Sequence, residues 1–123
     1  MCKTFTSLLA VLLLLAGGTA FAQQDAQKSA LSWQKQARDT RVAVVSVADE
    51  LGKMDASGKP DAAGLINDAM AWLEKGDAEV AQADTKMTAE DWKSASSGYN
   101  MAWQYYAKAA TAGLAAKTML ESR

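Results

Sequence analysis

The sequence contains no histidine, and its only cysteine and only proline are Cys2 and Pro60. Without histidine the chain lacks the usual general base near neutral pH, and it cannot form histidine-bearing catalytic triads or histidine-ligated haem and di-iron sites. Without a cysteine beyond position 2, the rest of the chain has no disulfide, zinc–thiolate site or thiolate nucleophile. We therefore expect no catalytic residue set, no metal site and no cofactor.

A strong excess of either charge is also missing, because the formal net charge is −1 with 22% charged residues. Proteins that bind nucleic acid or anionic lipid through electrostatics carry a clear positive footprint. We therefore expect no nucleic-acid partner. Half of the 123 residues are hydrophobic, and a chain of this length suits one core.

The first residues, MCKTFTSLLAVLLLLAGGTAFA, have the organisation of a secretory signal peptide. Lys3 precedes the apolar run Leu8–Ala16, and Ala20–Ala22 forms a small-x-small cleavage site. The run is shorter than the roughly 20 apolar residues that span a bilayer. We expect residues 1–22 to be cleaved off after Ala22. Residues 23–123 would then form a single cysteine-free domain, periplasmic or secreted, without stable membrane insertion.

Three apolar stripes follow, and in each the spacing alternates between four and three residues, which indicates helices. The stripes are Ala26, Ala30, Trp33, Ala37, Val44, Val47, Leu51 and Met54, interrupted only by Thr40; Ala62, Ile66, Ala69, Leu73, Gly76, Val80, Ala83 and Met87; and Trp92, Ala95, Tyr99, Ala102, Tyr106, Ala109, Gly113, Ala116 and Leu120. Helices are predicted at about 25–55, 61–86 and 89–121. Short connections favour antiparallel neighbours, so the fold is predicted to be an all-α, up-down-up three-helix bundle.

Gly76-Asp77 allows an alternative, because a glycine followed by a helix-capping residue can separate two helices. Glu74–Ala81 (EKGDAEVA) resembles the corner of a tetratricopeptide repeat, which implies a helical hairpin repeat with a concave peptide groove. The wider stretch Leu65–Ala81 is similar to small exported proteins that bind the cytochrome of sulfur-oxidising enzyme systems. The stripe passes through Gly76 without a shift in register, which favours one helix. Thr88 begins a sequence typical of a capping box for the third helix.

Aromatic residues are dense in the third predicted helix. Trp92, Tyr99, Trp103 and Tyr106 share one face with small residues, an arrangement that favours core packing. Tyr105 points away from that face.

Met101, Ala112 and Met119 share the side of Tyr105, and Trp72 lies off the centre of the second stripe. An uncharged patch of methionine, tyrosine and alanine is typical of an adaptable docking surface. We therefore take Met101, Tyr105, Ala112, Met119 and Trp72 as the candidate partner-binding surface. A broadly buried helix is the alternative explanation.

The sequence thus predicts a non-catalytic exported helical-bundle protein that acts through protein–protein interaction, as an accessory subunit, adaptor or chaperone-like factor. Its partner would be another protein or a second copy of itself. One alternative is a small apolar ligand held near Trp103 and Tyr106, and another is a peptide-binding module like a tetratricopeptide repeat. Ser32 and Lys35 match the S-x-x-K of penicillin-recognising serine enzymes but lack its partner motifs. Arg41 and Asp77 are expected on solvated faces.

Overall fold

The computed structural model of the chain describes residues 2–122, and it describes side chains from residue 22 onward. It contains three helices, α1 at Cys2–Gly52, α2 at Pro60–Thr88 and α3 at Trp92–Glu121. About 89% of the chain is helical, and no strand occurs among the described residues. The predicted all-α fold of three long helices is confirmed.

The helix α1 begins at Cys2, whereas the prediction began it near residue 25. Its first half is rich in leucine and alanine, which have high helix propensity. The helix therefore continues through the point after Ala22 where cleavage is predicted, and it ends at Gly52, three residues earlier than expected. The side chains of the predicted signal segment up to residue 21 lie outside the described ones, so the cleavage stays a prediction. Among the described residues, no helix is both long and apolar enough to cross a membrane.

The second helix is continuous through Gly76. The division of this segment into two short helices at Gly76-Asp77, as in a tetratricopeptide repeat, is therefore wrong. Pro60 occupies the first turn, where its missing N–H and fixed φ are tolerated. Lys59 precedes it and donates from Nζ to the carbonyl oxygens of Met119 and Ser122, each at 3.0 Å. This contact fastens the α1–α2 connection to the carboxyl end of α3.

The turn between α2 and α3 differs from the predicted capping box at Thr88. Thr88 is still part of α2, and its Oγ1 donates to the carbonyl oxygen of Asp84 at 3.0 Å. The cap of α3 is Asp91, whose side chain accepts the backbone N–H of Ser94 at 3.3 Å. Glu90 adopts φ 60° in the turn. The third helix therefore begins three residues later than predicted.

The order of packing places α3 between the other two helices. It packs along most of both α1 and α2, whereas α1 and α2 contact each other little. The predicted stripes form the core, in which Tyr99 and Tyr106 are the largest fully buried side chains and most other members are alanine. Small residues let the helix backbones approach closely around the two rings. The core interpretation of Tyr99 and Tyr106 is confirmed, and Trp103 is half-buried against Trp33, with ring centroids 5.5 Å apart.

Candidate functional site

A polar cluster joins all three helices at the hydroxyl of Tyr106. The Tyr106 ring is fully buried, and its hydroxyl donates to Asp77 Oδ1 at 2.5 Å. Arg41 on α1 donates to the same carboxylate from Nε at 2.8 Å and from Nη2 to Oδ2 at 3.2 Å. This bidentate geometry is the strongest form of an arginine–carboxylate contact. Asp77 therefore links α1, α2 and α3 at one point.

A second cluster of the same design lies two helical turns away. Tyr99 is seven residues before Tyr106 on α3, and its hydroxyl donates to Asp84, which is seven residues after Asp77 on α2. Gln34 on α1 donates to the Tyr99 hydroxyl oxygen at 3.0 Å. The antiparallel helices thus present two tyrosines to two aspartates in matching register. In both clusters α3 supplies the ring, α2 the carboxylate and α1 a nitrogen donor.

Gly76 is required by the Tyr106 ring. A Cβ atom placed on Gly76 would lie 2.4 Å from Cε1 and 2.6 Å from Cδ1 of Tyr106. Both distances are shorter than any ordinary contact between carbon atoms. The Gly-Asp pair therefore has a tertiary role: Gly76 leaves room for the ring, and Asp77 accepts its hydroxyl. It does not end a helix.

The tyrosine environments change the acidity of both hydroxyls. Burial, followed by the hydrogen bond to Asp84, raises the pKa of Tyr99 to about 12. Burial and Asp77 also raise the pKa of Tyr106 above its ordinary value. The hydrogen bond from Arg41 lowers the pKa of Asp77. All three groups thus keep the protonation state that the clusters need at neutral pH.

We expect the protein to lose stability as the pH rises from about 10, the ordinary pKa of tyrosine, to about 12, the raised pKa of Tyr99. The folded state holds the Tyr99 proton more tightly than the unfolded state, so its contribution is complete below pH 10 and disappears through this window. Urea unfolding at a series of pH values measures the effect. Tyr99→Phe should make the loss between about pH 10 and pH 12 less steep without abolishing it, because Tyr106 also has a raised pKa. An unchanged slope in this variant would contradict the assignment.

The candidate partner-binding surface is partly assembled between α2 and α3. Trp72 stacks on Tyr105 with ring centroids 5.6 Å apart and an interplanar angle of 20°. Ala112 and Trp72 line the same shallow groove. Both aromatic residues are half-buried, in part by each other. The structure therefore brings together three of the five predicted residues.

The two predicted methionines lie along α3 on either side of this stack. Met101 is 42% exposed and lines a different depression, together with Glu79 and Lys86 of α2. Met119 is 40% exposed, and its carbonyl oxygen accepts from Lys59. The five residues thus extend along one helix pair without forming one compact patch.

The expectation that this surface carries no charge is wrong. Lys75 Nζ lies 4.7 Å from the centroid of the Trp72 ring, and Lys108 Nζ lies 4.5 Å from it. Lys75 is one helical turn from Trp72, and Lys108 is one turn from Tyr105, so each lysine follows an aromatic residue along its own helix. The Trp72 surface consists of Trp72, Tyr105, Lys75, Lys108 and Ala112.

An apolar cavity of about 210 Å³ lies between α1 and α2, above α3. Near Trp103 and Tyr106, where the sequence suggested a site for an apolar ligand, Trp103 packs on Trp33, and the depression beside Tyr106 is lined by charged residues that include Arg38, Asp77 and Asp84. The cavity lies instead beside the part of α1 around Val44 and Val47. Periodicity alone could not place it, since the lining residues belong to three helices.

The remaining candidate groups are engaged in local contacts. Ser32 Oγ accepts from Gln36 at 3.5 Å, and Lys35 pairs with Asp39 at 3.3 Å. No group of three or more histidine, cysteine, aspartate or glutamate residues within the described part of the chain could hold a metal ion. Sequence reasoning missed the roles of Arg41 and Asp77. The seven-residue repeat shared by Asp77, Asp84, Tyr99 and Tyr106 was a signal that could have revealed the clusters.

Comparison of the chain with models of protein families, with curated proteins and with solved structures found no match. The similarities noted for Leu65–Ala81 therefore gain no support from these comparisons. The class that the structure defines is an all-α three-helix bundle with α3 at its centre.

Proposed function

We propose that this is an exported, non-catalytic helical-bundle protein that acts by binding another protein through the Trp72 surface. The observation that carries the proposal is the stacked pair of Trp72 and Tyr105, with two lysine ammonium groups within 4.7 Å of the centroid of the Trp72 ring. Aromatic residues are enriched where proteins bind each other, because their rings supply contact area. Charges beside them add selectivity for a partner of complementary charge.

The partner is expected to present an acidic residue next to an apolar one. The two lysines make this part of the surface positive, and carboxylates would complement it. The groove beside Trp72 is lined by apolar or small side chains of Leu65, Ala112 and Ala115. An amphipathic helix with alternating acidic and apolar contacts has the required chemistry.

Export is proposed from the sequence of residues 1–22, and the packing is compatible with it. Among the described side chains, the first buried one along α1 is Ala30. Cleavage after Ala22 would therefore leave every described buried residue in the bundle. Periplasmic or secreted location is thus part of the proposal.

We expect charge reversal at Lys75 and Lys108 to abolish partner capture. The variant Lys75→Glu/Lys108→Glu places two carboxylates where the partner's acidic residues would lie, and like-charge contacts weaken association. Affinity capture from native extract, read by mass spectrometry, compares it with Trp72→Ala and with the control Lys28→Glu/Lys93→Glu. A specific partner should be lost with both surface variants and kept with the control. Recovery of the same proteins with all variants would contradict the proposal.

A further inference from the structure

The cavity between α1 and α2 is lined almost entirely by hydrocarbon. Its walls are apolar or small residues, and α3 supplies the floor through Ala109 and Gly113. The lining consists of Val44, Val47, Ala48, Leu51 and Gly52 from α1, Ile66, Ala69 and Met70 from α2, and Ala109 and Gly113 from α3. No charged or hydrogen-bonding side chain is among them. A water molecule in a protein needs two to four polar partners, so this space does not suit water.

Two features of the packing keep this space open. Gly113 has no side chain and therefore leaves space on the α3 side of the cavity. A Cβ atom at this position would lie 3.0 Å from Val47 Cγ1. The side walls contact each other little. One turn before Val44, the bidentate pair of Arg41 and Asp77 connects α1 to α2, and it sets the separation of the two helices there.

We propose that this cavity binds a small, uncharged, apolar molecule. A dry cavity of about 150 Å³ lined by apolar side chains accepts benzene, and the cavity here measures about 210 Å³. Its volume therefore suits one substituted aromatic ring or a short hydrocarbon chain. A charged ligand is disfavoured, because none of the lining side chains could compensate the loss of its hydration.

Met70 provides an adaptable edge to the site. It lines the cavity and is 49% exposed, so it lies where the cavity meets solvent. A methionine side chain is unbranched and polarizable, and it adjusts to ligands of different shape. Entry past Met70 would not require the helices to separate.

Toluene is a suitable probe, and its binding can be followed through the methyl signals of the purified protein in NMR spectra. We expect saturable shifts, with a Kd below about 1 mM, at the methyl groups of Val47, Ile66 and Met70. Benzoate, which has a similar size but a charge, should bind at least about tenfold more weakly. This mapping needs no substitution. Shifts that do not saturate, or that lie mainly outside the cavity, would overturn the proposal.

A pair of matched variants provides a second test. Ala48→Leu places a larger side chain into the cavity from a half-buried position and should weaken toluene binding at least about tenfold. Ala115→Leu makes the same change in the groove beside Trp72 and should leave toluene binding within about twofold, since additivity holds for distant sites. Equal toluene affinity in Ala48→Leu and the unsubstituted protein would also overturn the proposal that this cavity is the binding site. Trp72→Ala should not alter toluene binding, so this result is separable from the partner-binding proposal.

Discussion

Tyr106→Ala is expected to destabilise the protein by about 3–5 kcal/mol, the range for removing a large buried aromatic side chain. The Tyr106 ring is fully buried and belongs to the core cluster with Ala37, Leu73 and Ala109. Ala37 and Ala109 are small, and Ala37 and Leu73 lie on two different helices. These neighbours therefore cannot fill the space that the ring leaves. A loss of this size is a large part of the 5–15 kcal/mol typical of a whole domain.

Tyr106→Phe separates the ring from its hydroxyl. The ring stays in place, while Asp77 loses the hydrogen bond from Tyr106 and keeps Arg41. We expect a smaller loss of about 1.5–3 kcal/mol, as for a hydrogen bond to a charged group. Urea unfolding followed by far-UV circular dichroism measures both variants.

Tyr105→Ala is the control on the same helix. Tyr105 is half-buried and stacks on Trp72 outside the core, so we expect a loss of only about 1 kcal/mol. A similar loss of unfolding free energy in Tyr105→Ala and Tyr106→Ala would show that burial of the Tyr106 ring does not stabilise the protein as described.

Gly76→Ala is expected to destabilise the protein by about 1–3 kcal/mol, as overpacked cores do. Helix propensity acts in the opposite direction, because alanine is favoured over glycine by about 1 kcal/mol inside a helix. The contact of the added Cβ atom with the Tyr106 ring decides whether the substitution stabilises or destabilises the protein. The added methyl group would overlap the ring of Tyr106, which is closed in on all sides and cannot move without losing Asp77.

Gly64→Ala is the matched control within the same helix. A Cβ atom on Gly64 would have no heavy atom within 4 Å, and Gly64 is exposed. Only the propensity term then acts, so Gly64→Ala should stabilise the protein by about 1 kcal/mol. The two identical substitutions in α2 should therefore shift the urea midpoint in opposite directions. A stabilising effect of Gly76→Ala would show that the ring is not confined as described.

The apolar periodicity determined the helices and their buried faces. The predicted stripes lie on the three helices, except for Met54, which follows the end of α1 at Gly52. The uninterrupted register of the second stripe through Gly76 correctly indicated one helix. Periodicity did not determine the helix ends. Thr88 and Asp91 are both good caps, and the choice between them depends on the turn that connects two packed helices. The start of α1 was missed because the residues before Ala26 carry no periodic stripe.

The sites were determined by tertiary structure. A stripe shows which face of a helix is buried, but it does not show which residue of another helix lies opposite, since that depends on the rotation and axial offset of the packed helices. The sequence therefore predicted a solvated carboxylate at Asp77, although Asp77 accepts hydrogen bonds from Tyr106 and Arg41 on two other helices. The positions of the lysines over Trp72 and of the cavity beside Val47 also depend on how the helices pack against each other. The sequence by itself set three helices and one core, and the packing around α3 decided which polar groups meet and where space remains.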